Sequence, residues 1–275
     1  HADMGPKPSV RITFENMDQE QRCYGTLLSK TSSTGPSSVW DGESDYAAYL
    51  SGEEEYAIWQ AFVEYEDVDG FYFLQEWWEC SETQQLNWTY YPPQTFKILL
   101  YYPQADRFVV SGIYERYAFD SYYTVNMAGF EMDSISAQDF TLVAERSYDY
   151  TWELLSLACR IVATIGIEVA IALLFGLRQK KVLLLITYTN LVTQVLLNVA
   201  LNVVNYSQGA FAFLACYVLF ELAVCLIEGV WYFIQFSKVS AAPISKVRVT
   251  AYTLCANGGS LAVGILIARY LPGIF

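Results

Sequence analysis

Residues 152–177 read WELLSLACRIVATIGIEVAIALLFGL, and the fold turns on how that stretch is read. Crossing a bilayer takes about 20 predominantly apolar residues, and this segment supplies them, most densely after Arg160. Three comparable segments follow, at 182–204, 210–236 and 249–268. Buried core helices would need further chain to cover them, and residues 151–275 hold none to spare. The reading is therefore a four-helix transmembrane bundle.

Charge sets its orientation, because Lys and Arg stay on the cytoplasmic side. Arg178, Lys180 and Lys181 sit in the first connection, and Lys238, Lys246 and Arg248 in the third; the second connection, 205–209, has no basic residue. Both termini are thus expected outside. An exported amino terminus requires a signal peptide, and a chain starting at His1 is read as one whose peptide has been removed. His1, the only histidine, is taken as a processing remnant, since copper binding there would need a second His.

The rest of the chain is a different physical object. Residues 1–150 carry 25 acids against 8 bases, a net of −17, whereas residues 151–275 carry 4 acids against 8 bases, a net of +4. A surface this acidic repels phosphate, so nucleic acid is excluded as a partner. Alternation of Val10, Ile12 and Phe14 with polar neighbours reads as a half-buried strand. Hairpins are expected at Phe62–Tyr65 with Phe71–Leu74 around Asp67-Val68-Asp69-Gly70, and at Phe96–Tyr102 with Arg107–Tyr114 around residues 103–106. Ser121–Met127 reads as a further strand, and helix is expected around Glu53–Trp59. The expected fold is an α+β membrane protein, with an extracytoplasmic antiparallel β-sandwich or barrel-like domain over 1–150 and the bundle over 151–275.

Cys23 and Cys80 are the cysteines of the exported half and are expected to form a disulfide outside the cell. Cys159, Cys216, Cys225 and Cys255 fall in the helices and act as small apolar residues. Asp67 and Asp69, with Glu76 at the spacing of a last calcium ligand, form a weak calcium candidate. Tyr65 stands where the first carboxylate should be, and a turn with solvated carboxylates explains the pattern more simply. Trp40, Trp77, Trp78 and Trp88 are ectodomain binding candidates, because aromatic faces beside carboxylates suit glycans, peptides or cationic groups. Core filling is the competing reading for each. On a strand, adjacent Trp77 and Trp78 would point to opposite faces.

The helices carry the more specific signal, because ionisable groups inside a bilayer are costly. Glu168, Asn190, Glu228 and Asn257 each lie nine or ten residues from a basic flank, about 14 Å at 1.5 Å per residue, near the middle of the hydrocarbon. Arg160, Gln194, Asn198 and Glu221 form an outer polar layer, in which Arg160 and Glu221 are the natural charge pair. Glu168 and Glu228 then lack a basic partner. Two carboxylates in a dry site cannot both ionise cheaply, so one holds a proton or the two share a bound cation. Interhelical hydrogen-bond glue is the alternative, and two unpaired Glu are an expensive way to make it. For Asn202 and Asn205, nearer the outer boundary, glue or hydration is the preferred reading.

Ala2-Asp3-Met4-Gly5-Pro6-Lys7-Pro8-Ser9, the run Tyr114-Glu115-Arg116-Tyr117-Ala118-Phe119-Asp120-Ser121-Tyr122, and Asn190-Leu191-Val192-Thr193-Gln194 resemble a family of Firmicutes-type bacterial membrane proteins. The resemblance spans nearly the whole chain. It implies an envelope protein of the plasma membrane made with a signal peptide, and it brings no activity and no site residue with it.

Three functions are therefore expected. In the first, the exported domain binds a glycan, peptide or envelope partner protein and the helices anchor it in the lipid bilayer. In the second, the polar midplane layer handles a cation or proton in a transporter or channel-like component. An intramembrane enzyme acting on a lipid-linked substrate trails, since the helices offer no His, no Asp and no Ser/His or Cys/His pair. No cofactor is expected, and self-association is left open.

Overall fold

The computed structural model describes residues 5–43, 52–130 and 140–270; His1 lies outside them. The chain divides into two compact units, His1–Tyr148 and Asp149–Phe275.

The first unit is built on two open sheets. One contains β1 (Ser9–Glu15), β6 (Gln85–Trp88), β10 (Asp120–Asn126) and β11 (Ala144–Arg146), in the order β11-β10-β1-β6. The other runs β5 (Trp78–Glu79), β2 (Tyr24–Ser29), β7 (Thr95–Tyr102), β8 (Arg107–Val110), with β9 (Tyr114–Glu115) also on β7. A short ribbon, β3 (Ser33–Thr34) with β4 (Ser37–Ser38), stands apart. Val10, Ile12 and Phe14 of β1, all fully buried, meet Phe96, Ile98 and Leu100 of β7 in one core between the sheets.

Two expectations about this unit are corrected. It is not a barrel: the edge strands β11 and β5 hold three and two residues, too few for a closing ladder, and a lone bridge joins Ser111 to Leu142. Nor is it wholly antiparallel, because β1 and β10 pair in parallel over seven residues. A parallel pair needs a long crossover, and the whole of 16–119 serves as one. Side chains clamp both ends of that ladder: the Ser9 hydroxyl donates to Asp120 at 2.5 Å, and Asn16 Nδ2 donates to Asn126 at 2.9 Å.

The 95–110 hairpin forms as β7 and β8 in antiparallel register, but the 62–74 hairpin does not. Residues Glu53–Glu64 are helix α1, with Phe62 on its buried face. Ile58, Trp59 and Phe62 recur at helical spacing and cover the outer face of β7, against Leu99 and Tyr101. Strand β7 is consequently buried on both faces. The Asp-Gly element is still a turn, with the Gly70 amide donating to the Asp67 carbonyl at 3.0 Å and Gly70 at φ +70°. It leads out of a helix rather than between two strands.

The expected disulfide is also corrected, because Cys23 and Cys80 are free and fully buried. The Cys80 amide donates to the Cys23 carbonyl at 2.8 Å, so the backbones run side by side. The Cys80 thiol turns to the Trp78 carbonyl at 3.4 Å, and the Cys23 thiol is hydrogen-bonded to Tyr102. Burial pushes the Cys23 thiol up to about 12, which leaves little thiolate to react at neutral pH. Gly25 is required here, since a Cβ would lie 2.8 Å from the Cys80 sulfur.

The second unit is four helices: α2 (Thr151–Leu174), α3 (Lys180–Gln208), α4 (Ala210–Val239) and α5 (Lys246–Tyr270). Each is long and apolar enough to cross a membrane. Helix α2 packs on α3 and α5, and α4 packs on the same two, so α2 and α4 face each other diagonally. Outward residues of the bundle, such as Leu184 and Leu196 of α3 and Leu219 and Leu226 of α4, are exposed and apolar. Water penalises such a surface and hydrocarbon does not. The helix termini gather the basic residues Arg178, Lys180, Lys181, Lys238, Lys246 and Arg248 at the exposed α2–α3 and α4–α5 connections. Those two connections touch, the Ala241 amide donating to the Gln179 side chain at 2.8 Å.

Candidate functional site

Every fourth residue of a helix returns to nearly the same face, and at mid-bundle several of the returning residues are polar. On α3 the inward line is Ile186, Asn190, Gln194 and Asn198, all buried. On α4 it includes Glu228 and Tyr232, both inaccessible to solvent, and on α2 it includes Thr164 and Glu168. Asn257 and Ser260 complete it from α5. Glu168 and Glu228 thus occupy one diagonal of the bundle, with Asn190 and Asn257 on the other.

These groups are joined across helices. Asn190 Nδ2 donates to Glu168 Oε2 at 2.6 Å, and the Tyr252 hydroxyl reaches the same oxygen at 3.5 Å. Glu228 takes the Thr193 hydroxyl on Oε1 at 2.6 Å and Asn257 Nδ2 on Oε2 at 3.0 Å. Asn190 Nδ2 also lies 3.2 Å from the Tyr232 hydroxyl oxygen. Each carboxylate is therefore served by N–H and O–H donors rather than by a basic side chain. The Asn190 Oδ1 atom, fully buried, has no hydrogen-bond partner among the described residues. A buried acceptor left in this state is costly, and it calls for a group bearing a proton or positive charge.

The outer layer is arranged differently. Arg160, half-buried, donates through Nη1 to Asn198 Oδ1 at 3.3 Å and lies over the rings of Tyr217 and Phe213, 5.4 and 6.0 Å from their centroids. Glu221 is hydrogen-bonded to Tyr217 and feels the Arg160 charge. Arg160, Glu221 and Gln194 line one small cavity of about 30 Å³, with Thr164, Tyr217 and Ser260.

Thr193, Tyr232 and Tyr252 are members of the midplane site that sequence reading passes over. Tyr232 follows Glu228 by one turn and Thr193 follows Asn190 by three residues, so helical spacing carried the signal. Thr193→Val is expected to cost about 1–3 kcal/mol by leaving one Glu228 oxygen without its donor. A lowered thermal midpoint of the detergent-solubilised chain checks it, with Thr193→Ser as the rescuing variant.

In the first unit the binding candidates separate. Trp88 is 2% exposed and spends its indole N–H on the Tyr90 carbonyl at 2.9 Å, which corrects it from ligand contact to core. Trp78 packs on Trp88 at 5.4 Å and Trp77 on Phe73 at 6.3 Å. The two adjacent rings do face opposite ways, and both are half-buried. Trp40 alone of the four is exposed, edge-on to Trp59 at 5.3 Å. It opens on a cleft of about 380 Å³ with Val39, Tyr65, Glu66 and the exposed Tyr72.

The calcium candidate is corrected too. Lys97 Nζ lies 2.8 Å from Asp67 Oδ1 and 2.5 Å from Asp69 Oδ2, while Glu76 accepts from the Ser37 hydroxyl at 3.1 Å. An ammonium holds the place where a cation would sit, and among the described residues no three His, Cys, Asp or Glu converge on a metal position.

Lys97 and Asp67 also set a pH dependence. Burial pushes the Asp67 carboxyl up, but the Lys97 ammonium and the Phe71 and Asp69 amides outweigh it and hold it below its ordinary value. Burial likewise lowers Lys97, and Asp67 with Asp69 raise it further than burial lowers it. The carboxylate's contribution is present above the ordinary Asp value and fades as pH falls through the lowered one. The ammonium's contribution is present below the ordinary Lys value and fades as pH rises through the raised one. Urea midpoints followed by tryptophan fluorescence are expected to form a plateau between those limits, and Asp67→Asn to flatten the acid limb.

Four helices of membrane-crossing length around buried, unpaired carboxylates suggest a multi-pass membrane protein. No family model, curated protein or solved structure matches the chain, so the site is read from its own geometry.

Proposed function

We propose that the chain is an ion-coupled transport component of a bacterial plasma membrane, with Glu168 and Glu228 carrying the coupling ion. One observation carries this reading: two fully buried carboxylates sit in a membrane-length bundle with amide and hydroxyl donors and, among the described residues, no basic side chain bonded to them. Structural glue is obtained more cheaply from Asn and Thr alone, because an intramembrane carboxylate costs several kcal/mol unless it is neutralised. Reversible neutralisation is what an ion carrier does. The experiment is net ion movement in proteoliposomes under imposed gradients, read with internal pH- and sodium-sensitive dyes. A wild-type protein that moves no ion under any gradient overturns the proposal.

The basic residues gathered at the α2–α3 and α4–α5 connections support a cytoplasmic location for that end, with residues 1–150 exported. Protease added to intact cells is expected to cut within residues 1–150 and to spare the Lys180 and Lys246 loops. The reverse pattern overturns the orientation.

A second reading is supported by the cleft at Trp40. Exposed Trp40 and Tyr72 beside Glu66 suit a glycan or a cationic peptide, which would make the exported domain a receptor for a ligand or envelope partner. Trp40→Ala with Tyr72→Ala should abolish retention on a glycan or peptide array while leaving ion movement unchanged.

A further inference from the structure

The layers that adjoin the carboxylates on either side are built from different materials. Toward the basic connections the interior is dry. Ala172, Ile186, Tyr232, Phe236, Val249 and Tyr252 are all buried there in one cluster. Its rings pack closely: Tyr232 to Phe236 at 5.0 Å, Tyr232 to Tyr252 at 5.8 Å and Phe236 to Tyr252 at 6.1 Å. The hydroxyls of Tyr232 and Tyr252 are engaged upward with Asn190 and Glu168, and the buried Thr253 hydroxyl of this half is spent on the Val249 carbonyl at 3.0 Å. Toward the other end the layer next to the carboxylates is polar, and it lies beside the apolar cluster of Leu197, Leu201, Phe213, Tyr217 and Val224. Thr164 stands one turn from Glu168, Gln194 one turn from Asn190, and Ser260 bonds the Asn257 carbonyl at 3.0 Å. A turn is about 5.4 Å, so these residues form the next step above the carboxylates, and they line the cavity of about 30 Å³ with Arg160, Tyr217 and Glu221. That volume suits one or two waters with several polar partners.

We infer that the Glu168–Glu228 pair exchanges protons, and exchanges them only with the Arg160–Glu221 end of the bundle, the Tyr232–Phe236–Tyr252 cluster sealing the other. The inference rests on the ion-coupling reading and names its ion. A metal ion would have to shed its water shell in a space of water size beside a guanidinium. It would then meet carboxylate oxygens already occupied by N–H and O–H donors. A proton needs neither room nor a cage. It leaves a hydronium in the cavity, bonds to a carboxylate oxygen, and returns to water by the same route, so only O–H bonds form and break. A protonated carboxyl also supplies the kind of donor that the buried Asn190 Oδ1 lacks. The ionisable groups that act on Glu168 among the described residues are Glu221, Cys225, Glu228 and Tyr232 from α4 and Tyr252 from α5, with Arg160 two turns away on its own helix. From α3 it meets the neutral Asn190.

Two measurements on the full chain in nanodiscs test this. The first is the infrared carbonyl band of protonated carboxyl groups, titrated with pH in sodium, potassium and choline salts. A band lost in the Glu168→Gln, Glu228→Gln variant, with the same midpoint in all three salts, is expected. A midpoint that moves with sodium or potassium overturns the proton assignment and leaves ion coupling standing. A wild-type spectrum with no band that the variant loses overturns both. The second is cysteine accessibility in a chain whose four membrane cysteines are replaced by Ser. Ser260→Cys is expected to react with a small neutral thiosulfonate at least about tenfold faster than Ala172→Cys, an opening cost of ~1.4 kcal/mol for the sealed half. Thr164→Cys against Val182→Cys repeats the comparison. Equal rates in both pairs overturn the one-sided route.

Discussion

A Glu168→Gln, Glu228→Gln double variant is expected to lose ion movement entirely and yet to unfold at the same temperature as the wild type or above it. The two results have one physical origin. Gln keeps the volume of Glu, and at 168 its oxygen still accepts from Asn190. At 228 its oxygen accepts from Asn257 while its amide donates to the Thr193 hydroxyl, which can turn its own proton to the Thr189 carbonyl, so the interhelical bonds survive. What disappears is the ionisable oxygen pair and the penalty for holding like-charged groups in hydrocarbon. Replacing buried ionic groups by neutral ones of similar volume is often neutral or stabilising by about 1–4 kcal/mol. A bundle kept for glue alone would retain any activity the chain has. Thermal midpoints in detergent, measured beside proteoliposome flux, separate these outcomes: loss of flux with a large drop in midpoint would mean that the carboxylates hold the fold rather than the ion.

The second large effect belongs to the first unit. Lys97→Ala is expected to cost about 3–5 kcal/mol, the usual consequence of breaking a buried pair and leaving one charge behind. The Asp67 carboxylate is wholly inaccessible and the Lys97 side chain is 4% exposed. Asp67 accepts the Asp69 and Phe71 amides at 3.0 and 3.2 Å and the ammonium at 2.8 and 3.0 Å, so the variant strands a carboxylate with two amides and no cation. Against a typical domain stability of about 5–15 kcal/mol, that is a large fraction. Asp69→Ala is the control: its side chain is 53% exposed, and it should cost no more than about 1 kcal/mol. Urea unfolding of the full chain in detergent, followed by tryptophan fluorescence, measures both. A Lys97→Ala midpoint equal to that of Asp69→Ala would show that the pair does not hold the domain together.

Much of the architecture was legible in the residues because it rests on local rules. Continuous apolar length marks a membrane-crossing helix without reference to any partner, and the 95–110 hairpin is announced by its own turn. The failures were non-local. Phe62 and Phe71 flank an Asp-Gly as a hairpin would, but Ile58, Trp59 and Phe62 found a sheet face to cover, and that burial made 53–64 a helix. Trp88 looked like Trp40 in sequence; only the second sheet packed above it made it core. Spacing placed Asp67 and Asp69 for a calcium ion, and Lys97, thirty residues away, arrived there on a neighbouring strand.

By itself the sequence determined the four helices, their shared polar depth and the division into an acidic unit and an apolar one, because length, hydropathy and helical period are properties of a segment alone. Only the tertiary structure decided that β1 and β10 run parallel, that the sheets stay open, that Cys23 and Cys80 turn to different partners, and that the carboxylates have aromatic rings on one side and a water-sized polar cavity on the other. Those are questions of which distant residues meet. The answer depends on packing the whole core at once, where each buried group must find a neighbour that fits its shape and satisfies its hydrogen bonds.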